Sequence, residues 1–290
     1  MVILVTGATG TVGRPLVDLL RVAGAHVRAV SRDAAAAGLP AGVEVVDGDP
    51  ARPDTVAEAL DGVTSLFLHP RAVGDAAAEL ADLARRRGVR RIVALSATNV
   101  DDDPSEQPSR YAGDRNREAE DAAAGSGLEW TGLRASFFAA NTIAMWGAQI
   151  RRGDVVRYVY PHHSEAPVHQ QDLASVAARA LLTDDVVGRR VELTGPQSLT
   201  HAEMAGVIGD VLGRPLRYEA RPPREVAEHL VAHGLPEPFV GALMARYERL
   251  AGAPQPTSDD VEKILGRPAR TFGQWVADHA AAFTDEREHR

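Results

Sequence analysis

The chain has 290 residues, 44% of them hydrophobic, enough for a packed core in one large domain or in a domain with a smaller appendage. A formal net charge of −8, with the basic residues scattered, excludes the cationic stripe needed to follow a nucleic-acid backbone or an anionic membrane. The absence of cysteine excludes disulfides, thiolate nucleophiles and cysteine-ligated metals.

The first element is the apolar run VILVT at 2–6, which opens onto a glycine-rich turn. Further strand-like runs are HVRAV at 26–30, VEVV at 43–46, SLFL at 65–68 and RIVAL at 91–95. Between them lie the helical stretches RPLVDLLRVAG, PDTVAEALDG and GDAAAELADLARRRG, each closing near a glycine. Strands separated by single helices predict right-handed crossovers and a doubly wound parallel α/β sheet. A helix over REAEDAAAGSG and a strand LEWTGLR complete this region at Arg134.

After it come a turn-rich, histidine-rich segment (YVYPHHSEAPVHQQD), a helix from Asp172 to Thr183 with Asp172 as its cap, and a short strand RVELTG. Thr200 and Glu203 have the spacing of a capping box and start a helix reaching about Leu212. From there to Phe283, short helices broken by proline and glycine predict a smaller, mostly helical lobe. The N-terminal stretch lacks a basic n-region, and no segment reaches the roughly 18 apolar residues of a membrane span, so a cytoplasmic location is expected.

The turn VTGATGTVGR places Gly7, Gly10 and Gly13 at three-residue intervals between the first strand and the first helix. Such a triplet permits a tight turn, lets the backbone approach a pyrophosphate and lets helix and sheet pack closely, while the helix N-terminus offers free N–H groups to phosphate. A Rossmann-like dinucleotide domain over 1–135 is therefore expected, with returns over about 166–195, and a helical substrate lobe over 136–290. About 20 residues beyond such a turn an acid holds the ribose hydroxyls of NAD. Here the second strand ends in RAVSRD, so Ser31 and Arg32 stand at that place. A hydroxyl and a guanidinium suit a 2′-phosphate, which favours NADPH over NADH. Asp49, in DGDP after the third strand, is placed to meet adenine.

These motifs, with RIVALSA, SGLEWTGLR followed by SFFAAN, and the late LTGPQSLT, resemble the NmrA-like, atypical branch of the short-chain dehydrogenase/reductase superfamily over essentially the whole chain. That branch includes NADPH-dependent quinone, azo and triphenylmethane-dye reductases as well as regulators that bind the dinucleotide without turnover. The resemblance implies that Gly7, Thr9, Gly10, Thr11, Val12 and Gly13 cradle the pyrophosphate and that Arg32 takes the 2′-phosphate. It further implies that His69 and Pro70 lie beside the nicotinamide ribose, that Ser96 occupies the place of the catalytic serine, and that Phe137, Phe138 and Asn141 face the substrate.

Ordinary members of the superfamily use a Tyr-x-x-x-Lys pair, in which the lysine lowers the tyrosine's pKa and the tyrosine transfers a proton. The only lysine of this chain is Lys263. Anchoring on EDAAAGSGL puts Ala112 and Asn116 at the places of the pair, and one residue away stands Tyr111, four before Arg115. Tyr111 is accordingly a candidate proton donor. His162 is a second one, on the histidine-rich segment expected to line the substrate mouth together with Tyr160 and His163. The spacing of His162, His163 and His169 is not that of a helical zinc pair, so no metal is expected. The activity expected is NADPH-dependent reduction of a small conjugated carbonyl or quinone-like acceptor, with no nucleic-acid or membrane partner. A non-catalytic NADP(H) sensor and a non-redox biosynthetic cyclase or isomerase are the alternatives.

Overall fold

The computed structural model describes residues 1–284. Its first half alternates β1 (Val2–Val5), α1 (Gly13–Val22), β2 (His26–Ser31), β3 (Glu44–Asp47), β4 (Ser65–Leu68), α2 (Pro70–Val73), α3 (Ala77–Arg86), β5 (Arg91–Ala97), α4 (Pro108–Tyr111), α5 (Asn116–Gly125) and β6 (Glu129–Ala135). The later elements are α6 (Ala148–Arg152), β7 (Val155–Tyr158), β8 (Ser164–Glu165), α7 (Gln170–Leu182), β9 (Arg189–Leu193), β10 (Leu199–Thr200), α8 (His201–Val211), β11 (Arg217–Ala220), α9 (Pro223–Ala232), α10 (Glu237–Arg249), α11 (Asp260–Leu265) and α12 (Phe272–Asp278).

Seven strands form one parallel sheet in the order β3-β2-β1-β4-β5-β6-β9. The chain runs outward from β1 to β3, then returns to β4 on the other side of β1. The carboxyl ends of β1 and β4 therefore border the crevice in which such sheets bind ligands. One face is covered by α1 and α7, where Leu16, Val17 and Leu20 pack with Leu173, Ala177 and Leu181. The other is covered by α3 and α5, whose Ala81, Ala84, Ala119 and Ala123 let the helices lie close to the strands. A third core, built on Trp146, Tyr158, Tyr247, Phe272, Trp275 and Phe283, holds the C-terminal lobe. Two small sheets, β7 with β11 and β8 with β10, complete it.

The helix expected over 53–62 is instead two 3-10 turns, Pro53–Val56 and Glu58–Leu60. The stretch is too short between Pro53 and Gly62 to propagate an α-helix, and it still buries Val56, Ala59 and Leu60. The cap of α7 also differs from expectation. His169 caps the helix through Nδ1, which accepts from the Gln171 N–H at 3.1 Å. Asp172 lies in the first turn, where its carboxylate accepts from Arg267 Nη2 and from the Arg270 backbone N–H, both at 2.7 Å. Gln170 Oε1 accepts from Trp275 Nε1 at 2.8 Å, so the start of α7 anchors α12. Among the described residues, no helix is long and apolar enough to cross a membrane.

Candidate active site

The crevice begins at the glycine turn. Thr6 Oγ1 donates to the Phe67 carbonyl at 2.8 Å and accepts from the His69 N–H at 2.8 Å, stitching the ends of β1 and β4 together. Gly7 has φ +65°, and a Cβ there would lie 2.8 Å from His69 Cβ and Cγ. A Cβ on Gly13 would lie 2.1 Å from the Gly7 carbonyl oxygen, so helix and turn are in backbone contact. Thr9, Gly10 and Thr11 are exposed at the tip, and Val12 at the N-cap of α1 supplies no side-chain cap and no acidic residue lies in the first turn. There the Arg14 N–H donates to the Gly10 carbonyl at 3.0 Å and Pro15 has none, which leaves the Gly13 N–H without a backbone partner among the described residues. This is the environment that attracts an anion to a helix N-terminus.

Along the same edge, Ser31 ends β2 opposite Asp47 of β3. Ser31 Oγ accepts from the Asp33 N–H, and Asp47 Oδ1 accepts from the Ala34 N–H, which fixes the loop that carries Arg32. Arg32 is exposed and takes part in no ion pair among the described residues. Asp49 is more committed locally: Oδ1 accepts from the Ala51 N–H at 3.1 Å and Oδ2 from Arg52 Nε at 3.3 Å, in a turn just beyond β3.

From the glycine turn a cavity of about 710 Å³ runs between the sheet and the C-terminal lobe. Gly10, Thr11, Val12, His69 and Pro70 line its end at the glycine turn, and Ser96 lines it at the end of β5. Phe137, Phe138, Asn141 and Met145 wall one side, and Leu230, Leu235, Phe239 and Leu243 of α9, α10 and their connection wall the other. Phe138 is fixed by a parallel bridge to Val168, after which the chain makes a π-type turn over Ile143–Gly147 that turns Met145 inward.

Two buried polar atoms of this lining, Ser96 Oγ and His69 Nδ1, have no hydrogen-bond partner of normal geometry among the described residues. Burial holds the His69 imidazole below its ordinary pKa, so it is neutral at pH 7. Behind Ser96, Glu120 is gripped by Arg134 (Nε to Oε2, 3.0 Å; Nη2 to Oε1, 2.7 Å) and by Arg190 (Nε to Oε1, 2.6 Å). Burial alone would raise the pKa of Glu120, but the two guanidinium groups outweigh it and keep the carboxylate charged. Ser96 is close enough to add to that effect.

The proton-donor candidates fare differently. Tyr111 closes α4, is 40% exposed and does not line the cavity, whereas Pro108, Ser109, Ala112 and Asn116 do. Arg115 points away as well, its Nε donating to Asp75 at 2.6 Å. The register that puts Ala112 and Asn116 at the places of the Tyr-x-x-x-Lys pair is thus the one that faces the cavity, and Tyr111, one residue off, is turned outward. Tyr111→Phe is expected to leave turnover within about twofold of wild type, since an exposed substitution away from a site moves energies by only a few tenths of a kcal/mol; a tenfold fall in rate would restore its role.

His162 is exposed and outside the cavity, and its carbonyl accepts from the Gly252 N–H in a surface turn. His163 is fully buried in a second layer, where Nε2 meets Glu165 Oε1 at 3.1 Å. Tyr160, at φ +44°, packs its ring on Tyr247 and likewise does not reach the cavity. The expectation that this segment lines the substrate mouth is corrected: 164–165 pairs with β10, which draws the segment inward, and only Tyr158 and Glu165 reach the cavity from 158–165.

The residues that the sequence did not point to are Glu165, Arg246 and Tyr247, all lining the cavity. Tyr158 and Tyr247 are buried phenols in edge contact, with the Tyr158 pKa pushed up to about 12 and that of Tyr247 also raised by burial. Both stay protonated at any physiological pH and can donate a hydrogen bond. His201 behind them is pushed down to about 4 by burial and by His163, and is neutral. Among the described residues, no group of three or more His, Cys, Asp or Glu is placed to hold a metal.

The residues present fit a nicotinamide dinucleotide: a glycine cradle that side chains would fill, an uncapped helix N-terminus, and two orphaned polar atoms at the inner end. The family described as NAD(P)H-binding matches residues 7–184. The chain belongs to that family. It is 36% identical, over 98% of its length and 100% of the other, to (4-alkanoyl-5-oxo-2,5-dihydrofuran-3-yl)methyl phosphate reductase of Streptomyces griseus. It is 33% identical, over 97% of its length and 99% of the other, to an NAD(P)H azoreductase of Xenophilus azovorans. Among solved structures, the NADPH complex of an NADPH-dependent quinone oxidoreductase from Escherichia coli superposes with a TM-score of 0.81, at 25% identity, covering 96% of this chain and 99% of that one. The resemblance to the atypical, NmrA-like reductases read from the motifs is borne out, as is the Rossmann-like sheet with a helical lobe.

Proposed function

We propose that the protein is a cytoplasmic, NADPH-dependent reductase of a small conjugated carbonyl or quinone-like acceptor. The observation that carries this reading is the continuity of one cavity from the glycine turn to an aromatic and aliphatic chamber at the carboxyl ends of β5 and β6. Bound NADPH would supply hydride; the chain's own residues position, exclude water and hold protons. The backbone from Gly7 to Gly13 takes the pyrophosphate, Ser31 and Arg32 take the 2′-phosphate, and Asp49 borders adenine. His69, Pro70 and Ser96 close on the nicotinamide end. Phe137, Phe138 and Phe239 hold a flat acceptor. With Ala112 and Asn116 in place of the Tyr-Lys pair, the site lacks a strong acid, which suits an electron-poor acceptor whose reduced form needs little help from an enzymic proton. The names of the two relatives above, reductases of a butenolide phosphate and of azo compounds, support the same class of conjugated acceptor.

Arg32→Ala is expected to raise the Kd for NADPH by roughly ten- to a hundredfold, the loss of one charge-assisted bidentate contact of about 1.5–3 kcal/mol, while the Kd for NADH stays within about twofold. Equal losses for both nucleotides would remove Arg32 from the 2′-phosphate site. The function itself is tested by steady-state oxidation of NADPH against a panel of quinones, azo compounds and conjugated enones. Turnover with at least one class is expected. Tight NADPH binding without turnover on any class would favour the sensor or the non-redox enzyme.

A further inference from the structure

We propose that Arg246 is the substrate-recognition group of this cavity, and that the acceptor carries an anionic oxygen group, a carboxylate or a phosphate monoester, which this guanidinium binds. The inference extends the reductase reading by naming a feature of its acceptor. Three arginines line the main cavity and a smaller chamber of about 210 Å³ that shares lining residues with it. Two are spent on carboxylates: Arg71 forks onto Asp114 at 2.9 and 3.0 Å, and Arg249 reaches Asp102 at 2.8 Å and Glu106 at 2.9 Å. Arg246, which borders both spaces, has a side chain only 15% exposed and makes no hydrogen bond through its guanidinium to any described residue.

Arg246 is itself ion-paired with a buried carboxylate, Glu165 Oε2 standing 3.6 Å from Arg246 Nη2, but that separation is beyond hydrogen-bonding distance, and the other oxygen of Glu165 is engaged by His163, so the charge is balanced while the guanidinium's donors stay unused. A guanidinium carries five N–H donors in a planar fork matched to carboxylate and phosphate. A largely buried one that spends none of them on protein is set to receive an acceptor from a ligand. Thr98, which is exposed, and Asn99, which is half-buried, line both spaces beside it and add polar groups to the same wall. The aromatic body of the acceptor would then lie on Phe137, and its charged group would reach into the smaller chamber.

The test uses ligands that cannot be reduced, so that it does not depend on turnover. With NADP⁺ present, calorimetric titration with 1-naphthoate, 1-naphthyl phosphate and 1-naphthamide is expected to show one of the anions binding at least about tenfold tighter than the amide, the order of a charge-assisted bidentate contact. Naphthoate binding tightest identifies a carboxylate acceptor, and naphthyl phosphate a phosphate ester. Arg246→Met should erase the preference while changing amide affinity far less, and Arg246→Lys should restore part of it. Equal binding of anions and amide by the wild type, retention of the preference in Arg246→Met, or an equal loss for all three ligands would overturn the proposal. Anion preference without oxidation of NADPH by any acceptor would count against the reductase reading alone.

Discussion

Gly13→Ala is expected to lose nearly all NADPH binding and to lower the unfolding temperature measurably, and of the three turn glycines it should be the most damaging. The added Cβ would stand 2.1 Å from the Gly7 carbonyl oxygen and 2.8 Å from Ala8 Cα, both backbone atoms that cannot swing aside. Helix α1 must back away from β1, which costs about 1–3 kcal/mol of overpacking and opens the cradle. A displacement of the free N–H groups from a pyrophosphate is worth about 3 kcal/mol more, or roughly a hundredfold in Kd. Gly10→Ala separates the two effects. Its Cβ would meet only the Gly7 carbonyl, at 3.3 Å, and Gly10 faces the cavity. That variant should melt close to wild type yet still bind NADPH weakly. If Gly13→Ala binds NADPH normally, the turn is structural and not the cofactor cradle.

Glu120→Gln is expected to be the most destabilising change away from the turn. Glu120 is 2% exposed and receives the Arg134 guanidinium at two points and Arg190 at one. Removing one partner of a buried pair leaves the other charge uncompensated, at a cost of about 3–5 kcal/mol. The lower end applies here, because Arg134 keeps Asp101 at 2.7 Å and Arg190 keeps its place over the Trp130 ring at 5.1 Å. The same pair sets an acid limit on the fold. The folded carboxyl titrates below its ordinary value of 4.5, so its contribution is complete above about pH 4.5 and is lost as the pH falls through the folded pKa. Chemical denaturation of wild type and Glu120→Gln at pH 7 and at pH 3.5 checks both points. The gap between the two proteins should narrow at the lower pH, and a gap that does not change with pH would mean that the charge of Glu120 contributes nothing.

How much of this could be read in the sequence follows from where each signal resides. The glycine spacing, the strand runs and the Tyr-Lys register are local, and a local pattern survives in one dimension. EDAAAGSGL anchors the register of α5 and puts Ala112 and Asn116 on the side that lines the cavity, whereas Tyr111 faces outward, because a shift of one residue on a helical turn rotates a side chain by about 100°. His163 and Tyr160 were expected at the substrate mouth because a proline- and histidine-rich stretch looks like a solvated loop. The pairing of Ser164 and Glu165 with Leu199 and Thr200, a contact between distant segments, is what pulls them inward. Arg246 and Tyr247 gave no signal at all. On α10 they look like a charged and an aromatic position of an ordinary amphipathic helix, and only the docking of that helix over the sheet decides that both face the cavity. Asp172 illustrates the same limit: a residue with the chemistry of a helix cap is used instead to hold Arg267 and Arg270.

The measurement that bears most directly on the central claim is a single turnover. The protein, in excess over NADPH, is mixed rapidly with a soluble quinone while the absorbance of the reduced nicotinamide is followed, and the experiment is repeated with NADPH deuterated at the transferred position. The proposed function predicts oxidation of the bound NADPH in one phase that is slowed by the deuterium, because one continuous cavity would hold both acceptor and nicotinamide. Bound NADPH that persists unoxidised in the presence of saturating acceptor would contradict it.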